Sequence, residues 1–133
     1  MTDDRPLVLL VEDFDDAREM YAEYLEYSGL RVAAVSDAVQ GLKVAEELQP
    51  AIILMDAALP GLSGWDAITQ LKANPATRHI RVLMLTGHVL GDARDRAYAA
   101  GADGFIPKPC LPDELAERIL TEIRRGLPDD ELC

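Results

Sequence analysis

Cysteine is scarce. Cys110 and Cys133 are the only two thiols, and the second is the last residue of a polar tail. Two thiols so placed argue against a disulfide framework and against a cysteine metal site. Positive charge is also short: 13 Lys and Arg face 24 Asp and Glu, a formal net charge of −11. That balance supplies no basic patch for a phosphate backbone, so direct nucleic-acid binding is not expected. No apolar run approaches the roughly 20 residues that span a bilayer. The acidic start Met1-Thr2-Asp3-Asp4-Arg5-Pro6 lacks the build of a signal peptide. The expectation is a cytoplasmic protein without membrane insertion. There is no internal repeat, low-complexity segment, interdomain linker, GxGxxG loop or Walker loop.

What is present is 133 residues, 49% of them apolar and gathered in blocks. This suffices for one domain with an ordinary core. The whole of 1–133 reads as that domain, with a core over about 5–125 and an acidic, frayed tail over 126–133. Short runs rich in Val, Ile and Leu alternate with stretches of helical spacing. The runs predict strands over 7–11, 31–35, 51–55, 81–85 and 104–106. The helical stretches are 15 to about 27, a Ser36 or Asp37 cap to about 48, 64–73, about 89–100, and 112 to about 125. Asp15 is the expected N-cap of the first helix, with Ala17, Met20, Tyr21, Tyr24 and Leu25 on its inner face. Leu42, Ala45 and Leu48 are expected inside the second. Gly29 and Gly101 read as helix stops, and Pro112 as a first helical residue.

Five strands alternating with five helices make an α/β fold, a parallel sheet doubly wound by helices on both faces. Right-handed crossovers with one reversal give the flavodoxin-like order 2-1-3-4-5, although periodicity alone leaves other five-stranded orders open. In such sheets ligands bind in the crevice outside the strands' carboxyl ends. Glu12 and Asp13, Asp56, Thr86 and Lys108 all fall at those ends. Three carboxylates together repel, and a divalent cation removes the conflict. Asp13 and Asp56 are the expected direct ligands, with Glu12 acting through water. By themselves Glu12 and Asp13 read equally well as helix-capping acids. Asp56 follows an apolar strand and can act as a nucleophile towards phosphorus. Thr86 can donate to a phosphoryl oxygen, and Lys108, between Pro107 and Pro109, supplies a point charge. The Lys108–Pro109 peptide is a candidate cis bond.

Val11-Glu12-Asp13, Leu54-Met55-Asp56 with Leu59-Pro60-Gly61 and Gly64, Leu85-Thr86-Gly87, Ala99-Ala100-Gly101-Ala102-Asp103 and Lys108-Pro109 stand in order. Asp56 follows Asp13 by 43 residues; Thr86 and Lys108 follow Asp56 by 30 and 52. Together they resemble the receiver domain of bacterial two-component response regulators, over about residues 5–125. The resemblance implies that Asp56 is the phosphoacceptor and that Mg²⁺ (or Mn²⁺) is held by Glu12, Asp13, Asp56 and the Ala58 backbone carbonyl. It implies that Thr86 is the switch hydroxyl, that Lys108 is the phosphoryl group's ion-pair partner, and that Phe105 is the aromatic switch. The implied function is phosphorylation-dependent signalling, with self-phosphorylation and autodephosphorylation as its only enzymatic chemistry. Its donor would be a sensor histidine kinase or phosphotransfer protein. Its output would be the face of helix 4, strand 5 and helix 5, offered to a downstream protein by a monomer or a phosphorylation-dependent dimer.

The sequence departs from the family pattern at two points: Glu12 replaces the commoner Asp, and Cys110 stands where an aromatic is common. Ala58 and His88 occupy the two variable positions that tune dephosphorylation in the family. With no output domain after the fifth helix, a stand-alone receiver is expected over an excised domain of a regulator or hybrid kinase. A haloacid-dehalogenase phosphatase would need a second aspartate where Ala58 stands. Flavodoxin's phosphate would be repelled by residues 12–16. A phosphorylation-independent scaffold usually lacks the acceptor or the lysine, and both are here.

Overall fold

Five apolar runs pair into a single sheet. In the computed structural model, which describes residues 4–87, 93–108 and 110–125 without the side chains of 93 and 94, they are β1 (Leu7–Val11), β2 (Arg31–Val35), β3 (Ile52–Asp56), β4 (Arg81–Thr86) and β5 (Gly104–Pro107). All neighbouring pairs are parallel and the order is β2-β1-β3-β4-β5. This is the expected doubly wound arrangement, with its reversal between β1 and β3. The crossover elements are α1 (Asp15–Tyr27), α2 (Ala38–Leu48), α3 (Gly64–Ala73), α4 (Ala93–Ala100) and α5 (Pro112–Arg125). Among the described residues, no helix is long and apolar enough to cross a membrane.

Successive side chains of a strand point to opposite faces, so the core divides in two. Leu9, Val11, Ile53, Met55, Val82 and Met84 pack with residues of α2, α3 and α4. Val8, Leu10, Ile52, Leu54, Leu83, Leu85 and Ile106 pack with Tyr21 and Leu25 of α1 and Leu115, Ala116 and Ile119 of α5. Burial on both faces explains why β1, β3 and β4 read as continuous apolar runs. The edge strand β2 is only partly covered.

Several boundaries and faces differ from expectation. β3, β4 and β5 each extend one residue further at the carboxyl end, to Asp56, Thr86 and Pro107, and β3 starts at Ile52. Asp15 is not the N-cap of α1. Phe14 holds that position without a side-chain cap bond, and the Asp15 carboxylate pairs with Arg18 Nη2 at 2.6 Å. Met20 and Leu48 are 45% and 51% exposed rather than inward. The buried stripe of α2 is Ala38, Gly41 and Ala45. A Cβ on Gly41 would lie 2.9 Å from Val11 Cγ2, so small residues bring the helix close to β1 and turn Leu48 away. The expected helical residues 89–92, the Lys108–Pro109 bond, His88, Cys133 and the tail lie outside the described residues.

At the amino ends of the strands, Glu122 of α5 is 1% exposed. It accepts from Arg81 Nε at 2.8 Å and Arg118 Nε at 3.1 Å. Burial pushes its pKa up, but the bonds and charges of Arg81 and Arg118 outweigh that and hold it below the usual glutamate value. A depressed folded-state pKa contributes stability above the unfolded value of 4.5 and loses it as pH falls through the folded value. Glu122→Gln is therefore expected to lower unfolding stability at pH 7 by about 2 kcal/mol. Its deficit should shrink as urea unfolding is repeated from pH 5 down to roughly pH 3, where wild type loses the same interaction.

Candidate functional site

Alternation along the strands brings the acidic residues and the lysine to one side. Glu12, Asp56 and Lys108 continue the positions of Leu10, Leu54 and Ile106, which face α1 and α5. The Glu12 N–H bonds to the Val35 carbonyl at 3.1 Å, extending the β1–β2 ladder by one step. Arg18 then holds the turn from outside: its Nη1 donates to the carbonyls of Glu12 at 3.0 Å and Asp13 at 3.4 Å. Asp56 ends β3, and the next amide, Ala57 N–H, still bonds to Leu85 O at 2.8 Å. The Ala58 N–H turns back to Asp56 Oδ1 at 3.0 Å. Gly64 opens α3 directly against this turn, where a Cβ would overlap the Asp56 carbonyl oxygen. Lys108 is placed by its own N–H, which donates to Thr86 O at 2.7 Å.

The result is a buried charge cluster. Glu12 and Asp56 are 1% and 4% exposed, whereas Asp13 is exposed. Carboxylate oxygens of Glu12, Asp13 and Asp56 lie within 4.8 Å of one another. Lys108 Nζ donates to Glu12 Oε1 at 2.9 Å and to Asp56 Oδ2 at 3.2 Å. Burial first, and then the neighbouring Asp56 carboxylate, push the Glu12 carboxyl up to about 7 against the opposing pull of Lys108. Burial also works against the Asp56 charge. A proton on Glu12, the Ala58 N–H and the Lys108 ammonium outweigh it, and the Asp56 pKa ends below the usual value. Burial lowers the Lys108 pKa, but its two carboxylate partners raise it overall. Among the described residues, Glu12 Oε2 is a buried side-chain oxygen with no hydrogen-bond partner. An all-oxygen, anionic donor set with an orphaned oxygen suits a hard divalent cation.

These residues line a cavity of about 660 Å³, open to solvent. Ala58 and Gly87 form its rim beside the charged groups, and Phe14, Ala17 and Tyr21 of the α1 side make an apolar wall. Thr86 is buried at the end of β4, one step past Leu85, the ladder partner of Asp56. Phe105 pairs with Met84 on the ladder and packs, half-buried, on the α2–α4 side. Parity puts Thr86 on that same side. The structure thus gathers Glu12, Asp13, Asp56 and Lys108, keeps Ala58 at the rim, and sets Phe105 on the other face. Arg18 and Tyr21 belong to the site's surroundings but were not among the sequence candidates. No spacing rule marks an arginine that binds backbone carbonyls. Tyr21 carried a faint signal, a hydroxyl in an apolar helical stripe, since buried tyrosines need a partner for that group.

The sequence matches the family model of the response regulator receiver domain over residues 8–120. It is 39% identical over 121 residues to the phosphate regulon transcriptional regulatory protein PhoB of Escherichia coli (strain K12), covering 91% of this chain and 53% of that protein. It is 34% identical over 129 residues to the DNA-binding response regulator MtrA of Mycolicibacterium paratuberculosis, covering 96% of this chain and 54% of that one. The chain spans about half the length of these curated relatives. The fold is similar to the crystal structure of the receiver domain of the sensor histidine kinase PA1611 from Pseudomonas aeruginosa PAO1, described with a magnesium ion coordinated in its active-site cleft. The TM-score is 0.80 at 32% identity, covering 89% of this chain and 96% of that one.

Titration calorimetry should detect one Mg²⁺ per chain. Changes even to outer-shell groups weaken metal sites roughly tenfold to a hundredfold, so Asp13→Asn should weaken binding at least that much. Asp15→Asn, whose carboxylate is already held by Arg18, should leave it unchanged.

Proposed function

The chain belongs to the response regulator receiver domain family, and from that premise we propose that it is a phosphorylation-dependent signalling module whose acceptor is Asp56. The observation that carries this reading is the Lys108 ammonium bonded to both Asp56 and Glu12 in the lining of an open cavity. A carboxylate so placed stays ionised and can attack. An Asp56 oxygen forms a bond to phosphorus as the bond from phosphorus to the donor breaks. The donor keeps the electron pair and departs as acetate from acetyl phosphate, or as imidazole from a phosphohistidine. Lys108 offsets charge on the phosphoryl oxygens, and the Ala58 N–H orients the attacking carboxylate. Glu12, Asp13, Asp56 and the Ala58 carbonyl would hold Mg²⁺ or Mn²⁺, and the bound ion would neutralise phosphoryl charge.

The donor in this reading is a sensor histidine kinase or a phosphotransfer protein. Residues 5–125 act as one receiver unit in the cytoplasm, and the lifetime of the aspartyl phosphate limits its enzymatic chemistry to its own phosphorylation and dephosphorylation. Thr86 moves towards the phosphoryl group, and Phe105, beside Met84 on the neighbouring strand, moves with it. The face of α4, β5 and α5 then binds a downstream protein, as a monomer or as a phosphorylation-dependent dimer. The net charge of −11 argues against direct DNA binding by this domain. The known response regulators among its relatives are named as transcriptional or DNA-binding regulators, and such an output in this protein would depend on this face.

Incubation with Mg²⁺ and acetyl phosphate should add one phosphoryl group to the intact mass. Asp56→Asn should show no adduct, and omission of Mg²⁺ should suppress it. A wild-type protein that stays unmodified, and whose Trp65 fluorescence does not respond to beryllofluoride, would sink the reading.

A further inference from the structure

Tyr21 is a buried tyrosine whose hydroxyl reaches across the fold. It is 5% exposed. Its hydroxyl donates to the backbone carbonyl of Cys110 at 2.9 Å, a contact between residues 89 apart in sequence. It packs with Leu85, Ile106 and Leu115 in the half-core under α1 and α5, and Cys110 packs against that cluster. Its ring also lines the cavity that holds Asp56, Glu12 and Lys108.

The contact matters because of what Cys110 follows. Lys108 directly follows β5, Cys110 stands two residues on, and α5 begins at Pro112. The segment that bears Lys108 is thus tied at two points. On the β4 side, the Lys108 N–H bonds to Thr86 O at 2.7 Å. On the α1 side, Tyr21 holds the Cys110 carbonyl. The first tie fixes the strand end, and the second fixes Cys110. A lysine side chain has about 2 kcal/mol of rotamer freedom to lose, so its ammonium reaches two carboxylates at once only if its backbone is held.

We propose that Tyr21 is a positioning residue for phosphoryl transfer, its hydroxyl holding the Cys110 carbonyl so that Lys108 stays bonded to Asp56 and Glu12. This rests on Asp56 being the phosphoacceptor. Tyr21 touches neither donor nor phosphorus in this account; it acts through Lys108. It also ties α1, which helps line the cavity, to Cys110 just ahead of α5.

The test is Tyr21→Phe, which removes one oxygen and keeps the ring in the core. Phosphorylation of the full chain is followed by intact mass at saturating acetyl phosphate and Mg²⁺, beside Mg²⁺ affinity by calorimetry and the urea midpoint. Loss of one buried hydrogen bond corresponds to about threefold to tenfold in rate. The expected result is slowing of that size with Mg²⁺ affinity unchanged, since Asp13 and Asp56 are untouched. In a Lys108→Met background, Tyr21→Phe should slow the reaction no further. Equal rates for wild type and Tyr21→Phe would overturn the proposal. So would further slowing in the Lys108→Met background, or a parallel loss of Mg²⁺ affinity. Absence of phosphorylation in wild type would instead strike the reading of Asp56, which separates the two failures.

Discussion

Two carboxylates buried against each other, with one lysine between them, set the terms for the whole carboxyl edge of the sheet. Glu12 and Asp56 are almost wholly excluded from water, and Lys108 bonds to both. Removing one partner of a buried ion pair commonly costs about 3–5 kcal/mol, against about 5–15 kcal/mol for the stability of an entire domain. Such a cluster survives only if the backbone around it is over-determined. That is what the local contacts supply. Arg18 grips the carbonyls of Glu12 and Asp13, Ala58 N–H and the Gly64 helix start fix the Asp56 turn, and Thr86 O holds Lys108. The remaining tension is visible in Glu12, pushed up to about 7 with one oxygen unpartnered. A site in that condition favours whatever brings positive charge to its acidic side.

The opposite pole of the sheet is built differently. There Glu122 takes bonds from Arg81 and Arg118, tying the start of β4 to α5. Lys72 of α3 donates to Ile80 O at 2.7 Å and to Asp103 Oδ2 at 2.9 Å, and that same oxygen accepts from Val82 N–H at 2.8 Å. Side-chain bonds to main chain join α3, β4 and the entry to β5. The amino edge therefore has its buried carboxylate paired with arginines and its loops clamped, while the described carboxyl edge gathers three carboxylates around Lys108. Stability and reactivity sit at opposite ends of the same strands.

Most of this architecture could be read from the chain because burial on both faces leaves a strong imprint. The runs at 7–11, 52–55 and 82–85 are apolar at every step, and the polar residue that follows each, Glu12, Asp56 or Thr86, is a candidate site residue. The errors have a common cause. Large apolar residues suggest the inner face of a helix, but α2 meets β1 through Ala38, Gly41 and Ala45, and Leu48 is left outside. A contact made by small residues has little hydrophobic signal and much steric content. Asp15 misled for a related reason: a residue type suited to capping was drawn instead into an ion pair with Arg18. Bonds from side chains to carbonyls, as from Arg18 and Tyr21, leave no periodic trace, because the carbonyl is the same in every residue.

Among its described side chains, α4 buries little apolar area, and on the proposed reading it belongs to the switching face. Its eight residues bury Ala97 fully, and Arg96 lies over the Trp65 ring at 4.7 Å. A buried alanine contributes far less apolar area than a leucine or isoleucine, so displacing the helix costs a small part of the domain's stability. A ligand shifts a conformational equilibrium only by its difference in affinity for the two states, and a nearly complete reversal needs about 5.5 kcal/mol. The face opposite Asp56 holds Phe105 packed in the same half-core as Ala97. On the proposed reading, a phosphoryl group drawing on Thr86 and Lys108 pulls the ends of β4 and β5, the two strands that α4 connects. On that reading the phosphoryl group supplies the energy difference, and α4, with Ala97 as its fully buried described side chain, is an element that can respond to it.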